Sequence, residues 1–262
     1  FPLKAIRVTY PRLAYAILSI LTTKGLVMDN HILSRDDFPD DAHKIGCSVA
    51  AIRAVAEVES AGAGFDSLGR PKTLFEGHIF YKLTRGKFAS SHPSLCYPRW
   101  TKQYYGKTRD AEFARLQQAI SLNRNAALMS ASWGTFQIMG GNYAICGFSS
   151  VEDFVAAQCL DANSHLTCFT EFVLDRGLAD ELRDLRWADF ARIYNGASFK
   201  LNNYDVKMAR AYAKFSAEED ELARIEEASA ESYWQPVEFG ASSSTFNQLS
   251  QSSPLTLDLI LA

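Results

Sequence analysis

Apolar residues recur at the three- and four-residue spacing of an amphipathic helix over most of the chain between residues 36 and 215. This spacing predicts a series of helices separated by short polar breaks. The predicted helices cover residues 36–43, 49–60, 110–122, 126–132, 150–158, 164–176, 187–194 and 205–215. Ser48 is suited to cap the second of them, because its hydroxyl can accept a hydrogen bond from a backbone N–H of the first turn. The pattern therefore predicts a mainly α-helical domain.

The helical pattern is interrupted between residues 62 and 106. Three glycines and a proline before residue 72 break any helix. Residues 74–76 and 79–81 can form short extended pieces, or they can begin another helix. Residues 86–106 are aromatic and irregular. This part of the chain is expected to form a small irregular or β lobe.

The two ends of the chain differ from its middle in charge. Residues 217–262 hold nine acids and one base, and residues 1–27 hold four bases and no acid. We predict a solvated helix over 217–227 and a tail over 217–262 that is partly disordered and rich in serine near its end. Residues 1–27 are expected to be an upstream extension before a natural start at Met28, or alternatively a signal or anchor segment. Residues 28–216 are then the catalytic domain.

The middle of the chain carries a net charge of only +1, so composition predicts no nucleic-acid partner and no strong electrostatic capture of another polyanion. No stretch reaches the ~18 to 20 apolar residues that cross a bilayer, so stable membrane insertion is not expected. The five cysteines include no CxxC pair, which argues against a disulfide framework and a structural zinc site. We expect free thiols.

Glu59 is the first candidate for chemistry, because it closes an apolar helix and is followed by a Gly-rich loop. An apolar environment and a helix C-terminus both disfavour the charged form of a carboxyl group, which keeps a proton available near neutral pH. Cleavage of a glycosidic bond needs such a proton for its leaving group. By itself, an exposed glutamate at a helix end is the more common case. Glu57 is a rival, but it points to the opposite side of the helix.

The loop after Glu59 supplies further candidates. Asp66 can face Glu59 across a cleft or can simply cap a turn. Thr73 can hold a water molecule. Glu76 lies among apolar residues and needs a partner, which Arg70, Lys72 or His78 could provide. His78 is otherwise a structural histidine, and no metal-binding spacing such as HExxH occurs.

Two later segments can line a sugar site. The run ASWGTFQIMG at 131–140 combines a tight turn with an amide, and YNG at 194–196 places an aromatic ring beside an amide at the end of a helix. Amides bind hydroxyl and acetamido groups, and aromatic faces stack on sugars. The candidate substrate-binding residues are Thr73, His78, Ser132, Trp133, Gln137, Tyr194 and Asn195.

Together these elements resemble the N-acetylmuramidase domain of phage endolysins, within the lysozyme-like superfamily that also includes goose-type lysozymes and lytic transglycosylases. The resemblance is carried by AVAEVESAGAGF (54–65), GRPKTLFEGHIFYKLT (69–84), YPRWTKQYYG (97–106), ASWGTFQIMGGNYAICGF (131–148), WADFARIYNG (187–196) and NNYDVKMARAYAKF (202–215).

The resemblance implies a mainly α, lysozyme-like fold with a small irregular or β lobe beside the active-site cleft. It implies cleavage between N-acetylmuramic acid and N-acetylglucosamine in peptidoglycan, with Glu59 rather than Glu57 as the acid and with no metal or cofactor. A monomer is expected. It would accumulate in the host bacterial cytoplasm and reach the cell wall with the help of a holin, or it would be secreted.

Three functions remain open from the sequence. A hydrolase would pair Glu59 with Asp66 or Glu76, whereas a lytic transglycosylase would use Glu59 alone and release 1,6-anhydro products. The third is a cell-wall-binding protein without catalytic activity.

Overall fold

The computed structural model describes residues 31–61, 63–196 and 199–233, with side chains up to residue 230. The predictions for residues 1–27 and for the serine-rich end of the chain lie outside these described residues. By contacts the chain divides into two units, Phe1–Glu219 and Asp220–Ala262. The first unit holds all the elements that build the site.

Helices dominate the described residues. The α-helices are α1 (Pro39–Ile45), α2 (Val49–Ser60), α3 (Gly77–Thr84), α4 (Arg109–Leu122), α5 (Arg124–Met129), α6 (Val151–Gln158), α7 (Ala162–Asp175), α8 (Ala179–Arg183), α9 (Trp187–Tyr194) and α10 (Tyr204–Tyr233). Single 3-10 turns occur at Arg35–Asp37, Gly140–Asn142 and Phe199–Asn202.

A small antiparallel sheet forms from three strands in the order β1-β2-β3, with β1 at Thr73–Phe75, β2 at Ala131–Trp133 and β3 at Ile138–Met139. Thr73 pairs with Trp133, and Ser132 pairs with Met139. The prediction of a mainly α fold with a small β lobe is confirmed.

The helix starts follow from their sequences. The Ser48 hydroxyl accepts a hydrogen bond of 3.2 Å from the Ala51 N–H and caps α2, as predicted. Thr108, Asn123, Ser150 and Asp161 cap α4, α5, α6 and α7 in the same way. Short polar residues therefore set where five of the ten described α-helices begin.

Four predicted helices differ from the structure. The predicted helix 126–132 is wrong at its end: α5 stops at Met129, and residues 131–133 form β2 because their backbone pairs with both β1 and β3. The segment 36–43 divides into a 3-10 turn and α1, since Pro39 starts a new helix. The helices predicted over 205–215 and 217–227 are one continuous helix, α10.

The core surrounds α2, whose buried face is lined by small side chains. Ala51, Ala54 and Val55 are fully buried, which lets neighbouring elements approach the helix closely. Six phenylalanines fill the surrounding space, and each contributes about 1.5 to 3 kcal/mol by burial; they are Phe75, Phe80, Phe136, Phe154, Phe169 and Phe190.

All five cysteines lie within the described residues, and all are free thiols, as predicted. Cys96, Cys146 and Cys168 are buried. No described helix has both the length and the apolar character that crossing a membrane requires.

Candidate active site

Glu59 lies in the last turn of α2, which ends where Ala61 adopts a left-handed conformation (φ 54°). The side chain is partly buried. Burial raises the pKa of Glu59 to about 7, although a hydrogen bond from Asn195 and the charge of Lys72 both act to lower it. A large fraction of Glu59 is therefore protonated at neutral pH, which agrees with the environment predicted for it.

Asn195 follows the last residue of α9 and faces Glu59. Its Nδ2 donates a hydrogen bond of 2.7 Å to Oε1 of Glu59. Its Oδ1 is buried and has no hydrogen-bond partner in the described part of the chain. The preceding Tyr194 donates from its hydroxyl to the Phe136 carbonyl at 2.6 Å and stacks on Phe190. Tyr194 therefore fixes the end of α9, and Asn195 presents the amide to Glu59.

Lys72 contacts both the end of α2 and the loop that follows it. Its Nζ donates to the Ser60 carbonyl at 3.1 Å, next to Glu59. Its backbone N–H donates to the Gly64 carbonyl at 2.7 Å. Burial and the charge of Arg109 lower the pKa of Lys72, while Glu59 opposes them.

Sequence reasoning considered Lys72 only as a partner for Glu76. The available signal for its position near Glu59 was a lysine shortly after the Gly-rich turn that follows α2.

The turn between β2 and β3 contacts Lys72 from the other side. Gln137, in a left-handed conformation (φ 51°), donates from Nε2 to the carbonyls of Lys72 and Gly134 at 3.2 and 2.8 Å. Its Oε1 accepts a hydrogen bond of 2.9 Å from the Ser132 hydroxyl. Trp133 is buried and donates from its indole to the Leu128 carbonyl. These predicted sugar-binding residues thus hold the turn in shape.

His165 on α7 contacts the same β2–β3 turn through Thr135. Its Nδ1 accepts the Thr135 N–H at 3.1 Å, and its Nε2 lies 2.8 Å from the Gln158 carbonyl, to which it can donate. Burial lowers the pKa of His165 to about 4, so the ring is neutral near pH 7. The ring also stacks on Phe65, with centroids 4.7 Å apart. Sequence reasoning did not single out His165.

Gly64 is required where these groups meet. A Cβ atom at this position would lie 2.2 Å from Thr135 Oγ1 and 2.6 Å from His165 Nδ1. Such contacts are shorter than non-bonded atoms allow, so the loop after Glu59 can pass here only without a side chain.

Asp66 organises its own loop. Its Oδ1 accepts hydrogen bonds from the backbone N–H groups of Leu68 and Arg70, and its Oδ2 accepts from Arg70 Nε at 2.7 Å. Burial acts to raise the pKa of Asp66, but the hydrogen bonds from Arg70 and Leu68 outweigh it and lower the pKa. Asp66 is therefore a carboxylate whose two oxygens are both engaged. Arg70 also pairs with Asp110.

Glu76, immediately before α3, connects to the aromatic segment 97–106. The Tyr105 hydroxyl donates to Glu76 Oε1 at 2.7 Å, and Trp100 Nε1 donates to the Tyr105 hydroxyl at 3.2 Å. His78 Nδ1 lies 3.1 Å from Glu76 Oε2. Burial lowers the pKa of His78, which favours the neutral ring. Of the three partners proposed for Glu76, the structure pairs it with His78, and it adds Tyr105.

Two further sequence candidates lie apart from these contacts. Thr73 stands in β1 opposite Trp133 and borders a small depression together with Asp66 and Lys72. Glu57 is exposed and borders a different groove, lined by Arg53 and Phe215. The rotation of α2 thus separates Glu57 from Glu59, as the sequence predicted. The described residues contain no group of three or more metal-ligating side chains.

Comparisons with known proteins agree with this architecture. The family model for N-acetylmuramidase matches residues 48–216. Among solved structures, the crystal structure of a Burkholderia AP3 phage endolysin is 38% identical, covers 72% of this chain and 72% of its own, and superposes with a TM-score of 0.65. No curated protein matches. Because the family model spans more than half of the sequence and the relative shares the fold, the chain belongs to the N-acetylmuramidase family.

Proposed function

We propose that this protein hydrolyses the glycan strands of peptidoglycan between N-acetylmuramic acid and N-acetylglucosamine, with Glu59 as the general acid. The observation that carries the proposal is the environment of Glu59. Burial raises its pKa to about 7, and Asn195 holds one carboxyl oxygen by a hydrogen bond. Membership of the N-acetylmuramidase family supports a peptidoglycan-degrading enzyme more generally.

In the first step the Glu59 carboxyl group protonates the glycosidic oxygen as the C–O bond breaks. The electron pair of that bond stays with the leaving sugar, and positive charge develops at the other sugar. Glu59 becomes a carboxylate, which the hydrogen bond from Asn195 and the charge of Lys72 stabilise. The same two groups therefore favour the product of proton transfer.

We propose that the second catalytic group is one of the two residues that the sequence suggested, Asp66 or Glu76. Asp66 is charged at neutral pH, but hydrogen bonds occupy both its oxygens, so it would act through its field rather than as a strong base. Glu76 accepts a hydrogen bond from Tyr105, and His78 Nδ1 lies 3.1 Å from its other oxygen. Thr73 borders the same depression as Asp66 and would position the attacking water.

The alternative reaction is lytic transglycosylation, and one observation favours it. With Asp66 engaged by Arg70 and Glu76 engaged by Tyr105, Glu59 is the titratable carboxyl group poised near neutral pH. A transglycosylase needs only that group, first as acid and then as base for the muramic acid 6-hydroxyl. Neither reaction requires a metal or a cofactor.

Mass spectrometry of peptidoglycan digested by the purified protein distinguishes the proposals. Hydrolysis yields muropeptides with reducing ends, and transglycosylation yields 1,6-anhydro ends that are lighter by one water. Fragments with N-acetylglucosamine at the reducing end would contradict the proposed bond. Intact sacculi after incubation with wild-type protein would instead favour a wall-binding protein without activity.

The proposed setting is the bacterial cell wall at the end of phage infection. We propose that the protein acts there as a monomer, after release from the host cytoplasm by a holin, with secretion as the alternative. The 38% identity to a phage endolysin supports the phage setting. A lysis assay with and without a co-expressed holin would test the route.

A further inference from the structure

Charge along the chain is less even than its totals indicate. Residues 85–109 contain six basic residues and no aspartate or glutamate, whereas the whole chain carries a net charge of -3. The six bases are Arg85, Lys87, Arg99, Lys102, Lys107 and Arg109, and all of them are exposed. We call this set, together with Trp100, the basic rim.

The basic rim lacks internal charge partners. None of its six bases forms an ion pair with a carboxylate of the described part of the chain, whereas buried or half-buried arginines elsewhere do so. Arg53, for example, pairs with Glu218 and Glu219, and Arg115 pairs with Glu112. Exposed cations without such partners leave their attraction available to an external anion.

Trp100 gives the basic rim a second binding element. Its side chain is 53% exposed, which is unusual for tryptophan in a folded domain. The indole is nevertheless held in place, because Nε1 donates to the Tyr105 hydroxyl, which in turn donates to Glu76. Lys102 Nζ lies 5.8 Å from the centre of the indole ring. The exposed ring is therefore fixed beside a positive charge.

The basic rim adjoins the candidate active site. Arg109 Nη1 donates to the Phe65 carbonyl at 3.3 Å, within the loop that follows Glu59, and its charge acts on Lys72. At the other end, Trp100 connects through Tyr105 to Glu76 at the end of β1. A strand bound at the site would therefore have Arg109 and Trp100 next to it.

We propose that the basic rim binds the uncleaved continuation of the peptidoglycan strand, with sugars stacked on Trp100 and the basic side chains against carboxylates of the stem peptides. The proposal rests on the proposed function for the identity of the glycan. An apolar ring face suits the CH-rich face of a pyranose, and stem peptides carry free carboxylates. The combination selects an anionic glycan rather than a neutral one.

The test measures binding of the Glu59→Gln protein to purified sacculi by sedimentation at low and high salt. In that background, Arg99→Gln, Lys102→Gln and Lys107→Gln together are expected to weaken binding by about 10-fold at low salt, since each exposed charge contributes modestly. The difference should disappear near 0.5 M salt because screening removes it (about 4 Å Debye length). Trp100→Ala should weaken binding to sacculi at both salt concentrations. Trp100→Phe should retain most of the wild-type binding, because it keeps an aromatic face.

The matched control removes three exposed bases elsewhere, by Lys200→Gln, Arg210→Gln and Lys214→Gln, and changes the net charge equally. Equal weakening by this control, or no weakening by the rim variant, would overturn the proposal. So would stronger binding to phosphatidylglycerol vesicles. Because binding is measured without turnover, lack of cleavage by the wild type would count against the proposed function and not against the basic rim.

Discussion

The side-chain amide of Asn195 donates a hydrogen bond of 2.7 Å to Glu59, a residue 136 positions earlier in the chain. The contact joins the ends of α2 and α9, so two helix termini form one site. It also opposes part of the effect of burial on Glu59, whose pKa remains near 7. The carboxyl group of Glu59 is therefore kept close to the pH at which it can both give and regain a proton.

Replacing Glu59 tests the central assignment. Glu59→Gln keeps the shape and the capacity to hydrogen bond with Asn195 but removes the proton donor. We expect the rate of peptidoglycan cleavage, measured by dye release from labelled sacculi, to fall by at least ~100-fold. Glu57→Gln is the matched control, because Glu57 is exposed and borders a different groove. Similar losses in the two variants would remove the basis for choosing Glu59.

The rate should depend on pH through the protonated fraction of Glu59. With a pKa of about 7, kcat/KM is expected to decline as pH rises through 7. Because the charge of Lys72 lowers the pKa of Glu59, Lys72→Met should move this decline to higher pH, and Lys72→Arg should move it less. A profile that kept its position in Lys72→Met, with only its height reduced, would limit Lys72 to a structural role.

The raised pKa of Glu59 has a consequence for stability with a definite sign. Between its ordinary value of 4.5 and about 7, the folded protein holds a proton on this group that the unfolded chain has lost. The free energy of unfolding therefore falls as pH rises through this window. Thermal melts should show Glu59→Gln to be more stable than wild type at pH 8, with a smaller difference at pH 4.5. Equal melting temperatures at pH 8 would contradict the burial of this charge.

His165 predicts the opposite pH dependence. Its folded-state pKa of about 4 lies below its ordinary value of 6.5, so between these values the unfolded chain binds the additional proton. This group thus contributes stability above pH 6.5 that is lost as pH falls towards 4, by about 3 kcal/mol in total. In denaturant titrations, His165→Gln should be less stable at pH 7 and should lose stability less steeply on acidification. An unchanged slope would exclude His165 as the cause.

Gly64→Ala tests the packing of the loop after Glu59 on His165. A methyl group here would lie 2.2 Å from Thr135 Oγ1, so the loop must move. We expect a loss of about 1 to 3 kcal/mol in the free energy of unfolding, and a lower cleavage rate. Gly147→Ala is the control for steric clash, since nothing lies within 4 Å of a Cβ atom at that position. Its φ of 83° still adds backbone strain. A Gly64→Ala protein as active as wild type would show that the loop tolerates displacement.

Local signals in the sequence were sufficient for most helices and for the position of Glu59. Ser48 caps α2, and Val49–Ser60 has the predicted bounds, because the hydroxyl cap and the apolar spacing both act within a few residues. The segment 126–132 was mistaken for helix throughout because Ala131–Trp133 reads as helical alone, and its strand conformation depends on pairing with β1. Residues 74–76 were ambiguous for the same reason, since β1 forms by pairing, whereas residues 79–81 belong to α3.

The sequence by itself determined that Glu59 closes an apolar helix, that Glu57 points elsewhere, and that the family motifs occur in order. The tertiary structure alone decided the neighbours of Glu59, namely Asn195 and Lys72, and the engagement of Asp66 and Glu76 by other side chains. The reason is physical. A helix is specified by contacts three or four residues apart, whereas the pKa of a carboxyl group is set by burial and charges brought together from distant parts of the chain.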